Sequence, residues 1–87
     1  MTDNTATATV TSTLDLLVDV FRDVLGCADL TEDTDFYEAG GDSLTAFQIT
    51  GRLQEFLGAD DVPVSLVFAY PTPRELAEVV DTDYGRA

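Results

Sequence analysis

Apolar positions along the chain recur at helical rather than alternating spacing. Leu14, Leu17, Val18, Phe21 and Leu25 follow i, i+3, i+4, i+7 and i+11, the single stripe of an amphipathic helix. Asp15, Asp19, Arg22 and Asp23 take the opposite arc. Ser12 is placed to cap the first turn, and Gly26 stands where a left-handed residue closes a helix. The pattern therefore predicts a first helix over 13–25. From 26 to 42 no period is sustained. A connection of that length needs anchors, and Leu30 and Phe36, with Tyr37, are the apolar residues available to supply them. A second helix is predicted from Ser43, behind an Asp42 N-cap, to Gly58. At about 100° per residue, Ala46, Ile49, Thr50, Leu53, Phe56 and Leu57 share one core arc. Ser43, Leu44, Phe47 and Gly51 fall on the other side.

The apolar run at 62–70 has no second strand to pair with and is read as a short helix, capped by Ser65 and carrying Leu66 and Phe68. Thr72-Pro73-Arg74-Glu75 combines a capping box with proline at the first helical position, a specific start signal. Leu76, Ala77, Val79 and Val80 supply the buried stripe of a last helix ending near Asp81. The fold class these elements permit is all-α. It is a four-helix bundle with three longer helices, a short third helix, and a long loop between helices 1 and 2. Residues 1–12 are expected to form a disordered N-terminal arm, 13–81 the folded domain and 82–87 a frayed tail.

Charge and composition narrow the function. The chain has 87 residues, with 17 acids against 4 bases and a net charge of −13. One small core is all this length supports, and such a charge disfavours nucleic acid and anionic membrane. There is no His and a single Cys, Cys27. The usual neutral-pH general base is therefore missing, as are an internal disulfide and a Cys-based zinc site. No apolar run approaches the ~18 residues that cross a bilayer, and Met1 to Thr13 lacks the basic region of a secretory signal. A cytoplasmic, monomeric, non-enzymatic binding or carrying module is expected. Asp29, Glu32, Asp33, Asp35 and Glu38 do not form a calcium loop, because Tyr37 and Glu38 stand where that pattern needs an oxygen ligand and a glycine. No metal site is expected. Cys27 is read as a small, partly buried residue at a helix end, and Phe68 and Tyr70 as packing residues.

The informative segment is Asp35-Phe36-Tyr37-Glu38-Ala39-Gly40-Gly41-Asp42-Ser43-Leu44. Gly40 and Gly41 permit a tight approach, Asp42 caps, and Ser43 opens a helix whose backbone N–H groups favour an anion. Leu44 and Phe47, large and apolar, lie on the Ser43 side and suggest a docking surface. With no base in view, Ser43 is a poor nucleophile, and no Gly-x-Ser-x-Gly elbow surrounds it. Read from the residues alone, the segment leaves open an acidic helical interaction module, with Ser43 phosphorylated or unmodified.

The order of these segments resembles the phosphopantetheine-dependent acyl and peptidyl carrier proteins. Asp35-Phe36, then Gly40-Gly41-Asp42-Ser43-Leu44, then Ala46, Ile49, Arg52 and Leu53 look like that family's second-helix signature. Phe68, Pro71-Thr72 and Leu76-Ala77 look like its third- and fourth-helix pattern. The double glycine is closest to the peptidyl carriers of nonribosomal peptide synthetases. The resemblance implies a four-helix bundle and 4′-phosphopantetheine attached to Ser43 from coenzyme A by a phosphopantetheinyl transferase, with Asp42, Gly41 and Gly40 supporting the attachment. It implies an aminoacyl or acyl group held as a thioester and presented to adenylation, condensation or tailoring enzymes. Those partners would meet the chain at Leu44 and Phe47, with an apolar pocket flanked by Arg or Lys. The start at Met1, the stop soon after the last helix and the charge of −13 lead to the expectation of a free-standing carrier meeting its enzymes in trans. The alternative is a domain cut from a larger synthetase.

Acids outnumber bases ten to one through Asp42. Self-repulsion on this scale is screened by salt, so the melting temperature is expected to rise between low and moderate ionic strength. Calorimetry at several salt concentrations checks this, and a flat or falling trend would mean that the acids are already paired.

Overall fold

A computed structural model of the chain describes residues 12–84. Four helices follow one another: α1 (Thr13–Leu25), α2 (Ser43–Leu57), α3 (Ser65–Ala69) and α4 (Pro73–Asp83). Helix α1 packs against α4 and α2, and α3 leans on α2. This is the all-α bundle the pattern predicts, and among the described residues it contains no strand. Most of the expected arm and tail, residues 1–11 and 85–87, lie outside the described residues.

Each long helix begins and ends for a local reason. Ser12 Oγ accepts from the Asp15 N–H at 3.0 Å, and Gly26 closes α1 at φ 66°. Gly58 closes α2 at the same φ, a left-handed conformation that costs a glycine little. Thr72 caps α4 by accepting from the Glu75 N–H at 3.1 Å, with Pro73 in the first turn. The expected capping box is half made. The Glu75 carboxylate accepts from the Thr72 hydroxyl at 3.3 Å rather than reaching back to the backbone. Helix α4 runs two residues past Asp81. Ser65 does not cap α3. The cap position belongs to Val64, which has no side-chain acceptor. The turn starts earlier, at Pro63, whose carbonyl accepts from the Leu66 N–H at 3.2 Å. A proline with its φ already fixed nucleates that turn without a polar cap.

The core is built from Leu17, Val20 and Phe21 of α1, Ala46, Ile49 and Leu53 of α2, Val67 of α3, and Leu76, Ala77 and Val80 of α4. Leu30, Phe36 and Val62 join it from the connections. Phe56 and Leu57 pack partly buried at its edge. The stripe of α1 is rotated from the expected one. Val20 is buried and Val24 packs beside it, while Val18 is half-exposed. The cause is that α1 meets α2 and α4 together, so its buried arc is set by two neighbours and not by one apolar row.

The long connection is held as expected by Leu30 and Phe36, both fully buried, and also by arginines that the apolar pattern does not reveal. Arg22 Nε donates to the Leu30 carbonyl at 2.8 Å. Arg74 of α4 donates from Nε to Asp33 at 2.8 Å and also pairs with Glu32, while its backbone N–H donates to the Glu32 carbonyl at 3.0 Å. The guanidinium holds the Asp33 carboxyl below its ordinary value of 3.8, chiefly through that hydrogen bond. Phe36 makes edge contacts with Phe21 and Phe68, at ring separations of 6.2 and 6.1 Å. Its N–H donates to the Pro71 carbonyl at 2.7 Å.

Truncating a fully buried Phe leaves a cavity worth about 3–5 kcal/mol, a large part of a small domain's stability. Phe36→Ala is therefore expected to leave a substantial unfolded fraction at room temperature. Far-UV circular dichroism and urea melts check this, and a variant that melts like the parent would remove Phe36 from the core.

Candidate functional site

The approach to α2 is a wound turn with its own caps. Asp35 Oδ1 accepts from the Tyr37 N–H at 2.7 Å and the Glu38 N–H at 3.3 Å, as at a helix start. The turn then closes by a pair of backbone bonds. Gly40 donates to the Tyr37 carbonyl at 3.1 Å and Gly41 donates to the Phe36 carbonyl at 2.9 Å. Gly40 sits at φ 90°. This is the Schellman closure that favours glycine at the left-handed position. Gly41 is required for a different reason. A Cβ built there would fall within 3.0 Å of the Phe36 ring.

Asp42 and Thr45 then cap α2 reciprocally. Asp42 Oδ1 accepts from the Thr45 N–H at 3.0 Å, and the Asp42 N–H donates to Thr45 Oγ1 at 2.8 Å. The Thr45 N–H, and next its hydroxyl, hold the Asp42 carboxyl below 3.8. A group with a depressed pKa contributes stability that is complete above its ordinary value and lost as the pH falls through the lowered one. The cap is thus intact at neutral pH. Because Thr45 serves it, Ser43 is spared. Its hydroxyl is exposed and hydrogen-bonds to no other described residue.

Leu44 and Phe47 share the exposed side of α2 with Ser43, at 65% and 62% exposure. The core arc of Ala46, Ile49, Thr50 and Leu53 is buried opposite. The sequence-predicted residues Gly40, Gly41, Asp42, Ser43, Leu44 and Phe47 thus come together at one end of one helix. Helix α2 carries no carboxylate between Ser43 and Gln54. Arg52 further along is paired with Asp23 of α1. Beside this end Tyr37, 52% exposed, stacks on Phe68 at 6.3 Å and donates its hydroxyl to the Phe68 carbonyl at 3.1 Å. It is a latch between the loop and α3 rather than a buried anchor. Phe68 packs as expected. Tyr70 does not, and is exposed beside Glu75, Glu78, Val79 and Thr82. Cys27 is half-buried against the core. No His, Cys, Asp and Glu group suited to a metal ion occurs among the described residues, and no helix there is long and apolar enough to cross a membrane.

Residues 15–80 match the family described as "Phosphopantetheine attachment site". Among curated proteins the chain is 38% identical over 73 residues to a probable non-canonical nonribosomal peptide synthetase, CymA, of Salinispora arenicola. That match covers 84% of this chain and 1% of the relative. It is 39% identical over 66 residues to the phosphinothricin tripeptide synthetase PhsB of Streptomyces viridochromogenes, covering 76% of this chain and 6% of the relative. The chain thus spans only a small part of these relatives. Its fold is similar to that of BlmI, a type-II acyl carrier protein from Streptomyces verticillus, with a TM-score of 0.76 and 21% identity over 80% of this chain and 83% of that one.

Exposed apolar side chains contribute little to folding and core ones much. Leu44→Ala and Phe47→Ala are expected to change stability by less than about 1 kcal/mol, and Leu53→Ala to destabilise by about 2–5 kcal/mol. Denaturant melts of the three variants check the assignment of faces. Unfolding of Phe47→Ala would place Phe47 in the core.

Proposed function

The chain belongs to the phosphopantetheine attachment site family, as a carrier domain of nonribosomal peptide or polyketide type, and on that premise we propose that Ser43 is the residue that bears the group. Members of the family carry 4′-phosphopantetheine covalently. The residues at the start of α2 fit it. The observation that carries the reading is the unpartnered, exposed Ser43 hydroxyl at the first helical position, approached through two glycines that put no side chain over it. A phosphodiester there lies next to the free N–H groups and positive end of the helix.

The attachment is a phosphoryl transfer. Ser43 Oγ forms a new bond to the β-phosphorus of coenzyme A, the pyrophosphate P–O bond breaks, and adenosine 3′,5′-bisphosphate leaves. The hydroxyl proton goes to a base of the transferase. The chain itself has no His, and in this reading it is the substrate of the reaction, with the base supplied by the transferase. Once bound, the group supplies a terminal thiol that holds an aminoacyl or acyl unit as a thioester.

The protein's own part is to hold the hydroxyl in the open and to offer Leu44 and Phe47 beside it. A modest apolar patch gives weak, exchanging contacts, and the net charge of −13 steers partners bearing Arg or Lys around an apolar pocket. Tethering raises the local concentration of the carried unit at each partner's active site. The partners are a phosphopantetheinyl transferase and the adenylation, condensation or tailoring enzymes of a cytoplasmic pathway, with the carrier monomeric and acting in trans.

Incubation with coenzyme A and a promiscuous phosphopantetheinyl transferase is expected to add one phosphopantetheine to the intact protein, and none to Ser43→Ala, which keeps its helical spectrum. Intact-mass spectrometry reads both. Modification persisting in Ser43→Ala, on Ser12 or Ser65, would overturn the assignment. A phosphate in place of the adduct would favour a regulated interaction module instead.

A further inference from the structure

Ser43 lies two residues beyond Gly41, and Gly41 is where the chain touches the core on its way into α2. Phe36 is fully buried, its ring fixed between Phe21 of α1, Phe68 of α3 and the neighbouring Tyr37. The Gly41 N–H donates to the Phe36 carbonyl at 2.9 Å. The face of Gly41 where a Cβ would stand is closed by Cδ1, Cε1 and Cζ of that ring. Unlike Gly40, Gly41 does not have a positive φ, so space and not backbone angle demands a glycine. Close-packed interiors transmit such a collision instead of absorbing it. A ring held by three aromatic neighbours does not swing aside, so the backbone at Gly41 must move, and Asp42 and Ser43 move with it.

We propose that Phe36 and Gly41 form a seat that registers Ser43 against the rest of the carrier, which makes both of them positioning residues for the transfer of phosphopantetheine. The proposal rests on the reading of Ser43 as the attachment residue and extends it. A transferase docked on Leu44 and Phe47 must meet the Ser43 hydroxyl at a fixed position, and the seat fixes where α2 begins. Neither residue touches the reacting atoms. They act through the two-residue link to Ser43.

The test uses the full chain as wild type, Gly41→Ala, Phe36→Leu and the double variant. Leu lacks Cε1 and Cζ, the two ring carbons that an alanine at 41 would meet most closely. Two readouts are taken, both normalised to the folded fraction. One is the rate of modification with coenzyme A and a promiscuous transferase, resolved into kcat and the KM for coenzyme A. The other is the set of backbone amide resonances of Asp42 to Thr45. Gly41→Ala is expected to lower kcat by on the order of tenfold or more, since a misplacement near 1 Å costs up to about a hundredfold, with the KM for coenzyme A unchanged. Its Asp42 to Thr45 resonances are expected to shift. The double variant is expected to recover most of the rate and to return those resonances toward wild type, which a merely destabilising pair would not do.

A Gly41→Ala protein modified at the wild-type rate per folded molecule overturns the proposal. So does a double variant that folds and reacts no better than Gly41→Ala, including the case in which both are unfolded. If wild type takes up no phosphopantetheine, the assignment of Ser43 falls instead. The resonances then decide the seat separately: a shift reversed in the double variant upholds it, and resonances unmoved or unreversed overturn it.

Discussion

A single buried ring holds together parts of the chain that share no secondary structure. Phe36 sits in the middle of an aperiodic connection, and its burial against Phe21 and Phe68 ties that connection to α1 and α3. Its backbone reaches Pro71, just ahead of α4, and Gly41, just ahead of α2. All four helices therefore depend on one residue, through its ring or its backbone, for some part of their placement. The dependence is physical. A long loop loses much conformational entropy when ordered, and with few apolar residues in it the gain must be concentrated. A fully buried aromatic is the largest single contribution available to such a segment.

Charge plays a second, narrower part. The acids are too many to be paired by four arginines, and the pairs that form are exposed and individually weak. Their value lies in location. Arg74 binds Glu32 and Asp33 across the gap between the loop and α4, and Arg22 holds the Leu30 carbonyl. These arginines fasten the half of the loop that Phe36 does not reach. Meanwhile α2 keeps its first three turns free of carboxylates, and the face beside Ser43 stays apolar on a strongly acidic molecule.

Ser43 is left alone by the residues around it. At many helix starts a serine would be the cap and its hydroxyl would be occupied. Here the cap falls one residue earlier, and Asp42 and Thr45 satisfy each other, so the hydroxyl that follows is exposed and unengaged. The site therefore consists of an accessible hydroxyl in a defined place, which suits a carrier domain.

Much of this was legible in the sequence because it is local. Helices over 13–25 and 43–57, the Asp42 cap, the glycine stops at 26 and 58, the Pro73 start and the exposure of Leu44 and Phe47 follow from spacing and capping chemistry within a few residues. The anchoring role of Phe36 was legible from scarcity, since little else in the connection could be buried. What lay beyond reach was set by which elements meet. The rotated stripe of α1, with Val20 buried in place of Val18, depends on α2 and α4 pressing on it together. The clasp of Arg74 on Glu32 and Asp33 joins residues some forty positions apart. The turn at Pro63 that leads into α3, and the Tyr37 latch on Phe68, depend on how the short helix is laid against the loop. Gly41 is the clearest case. Sequence alone marks it as permitting a tight turn, whereas the fold makes it the one residue small enough to lie against the Phe36 ring, because packing distance, unlike backbone preference, exists only once the chain has closed on itself.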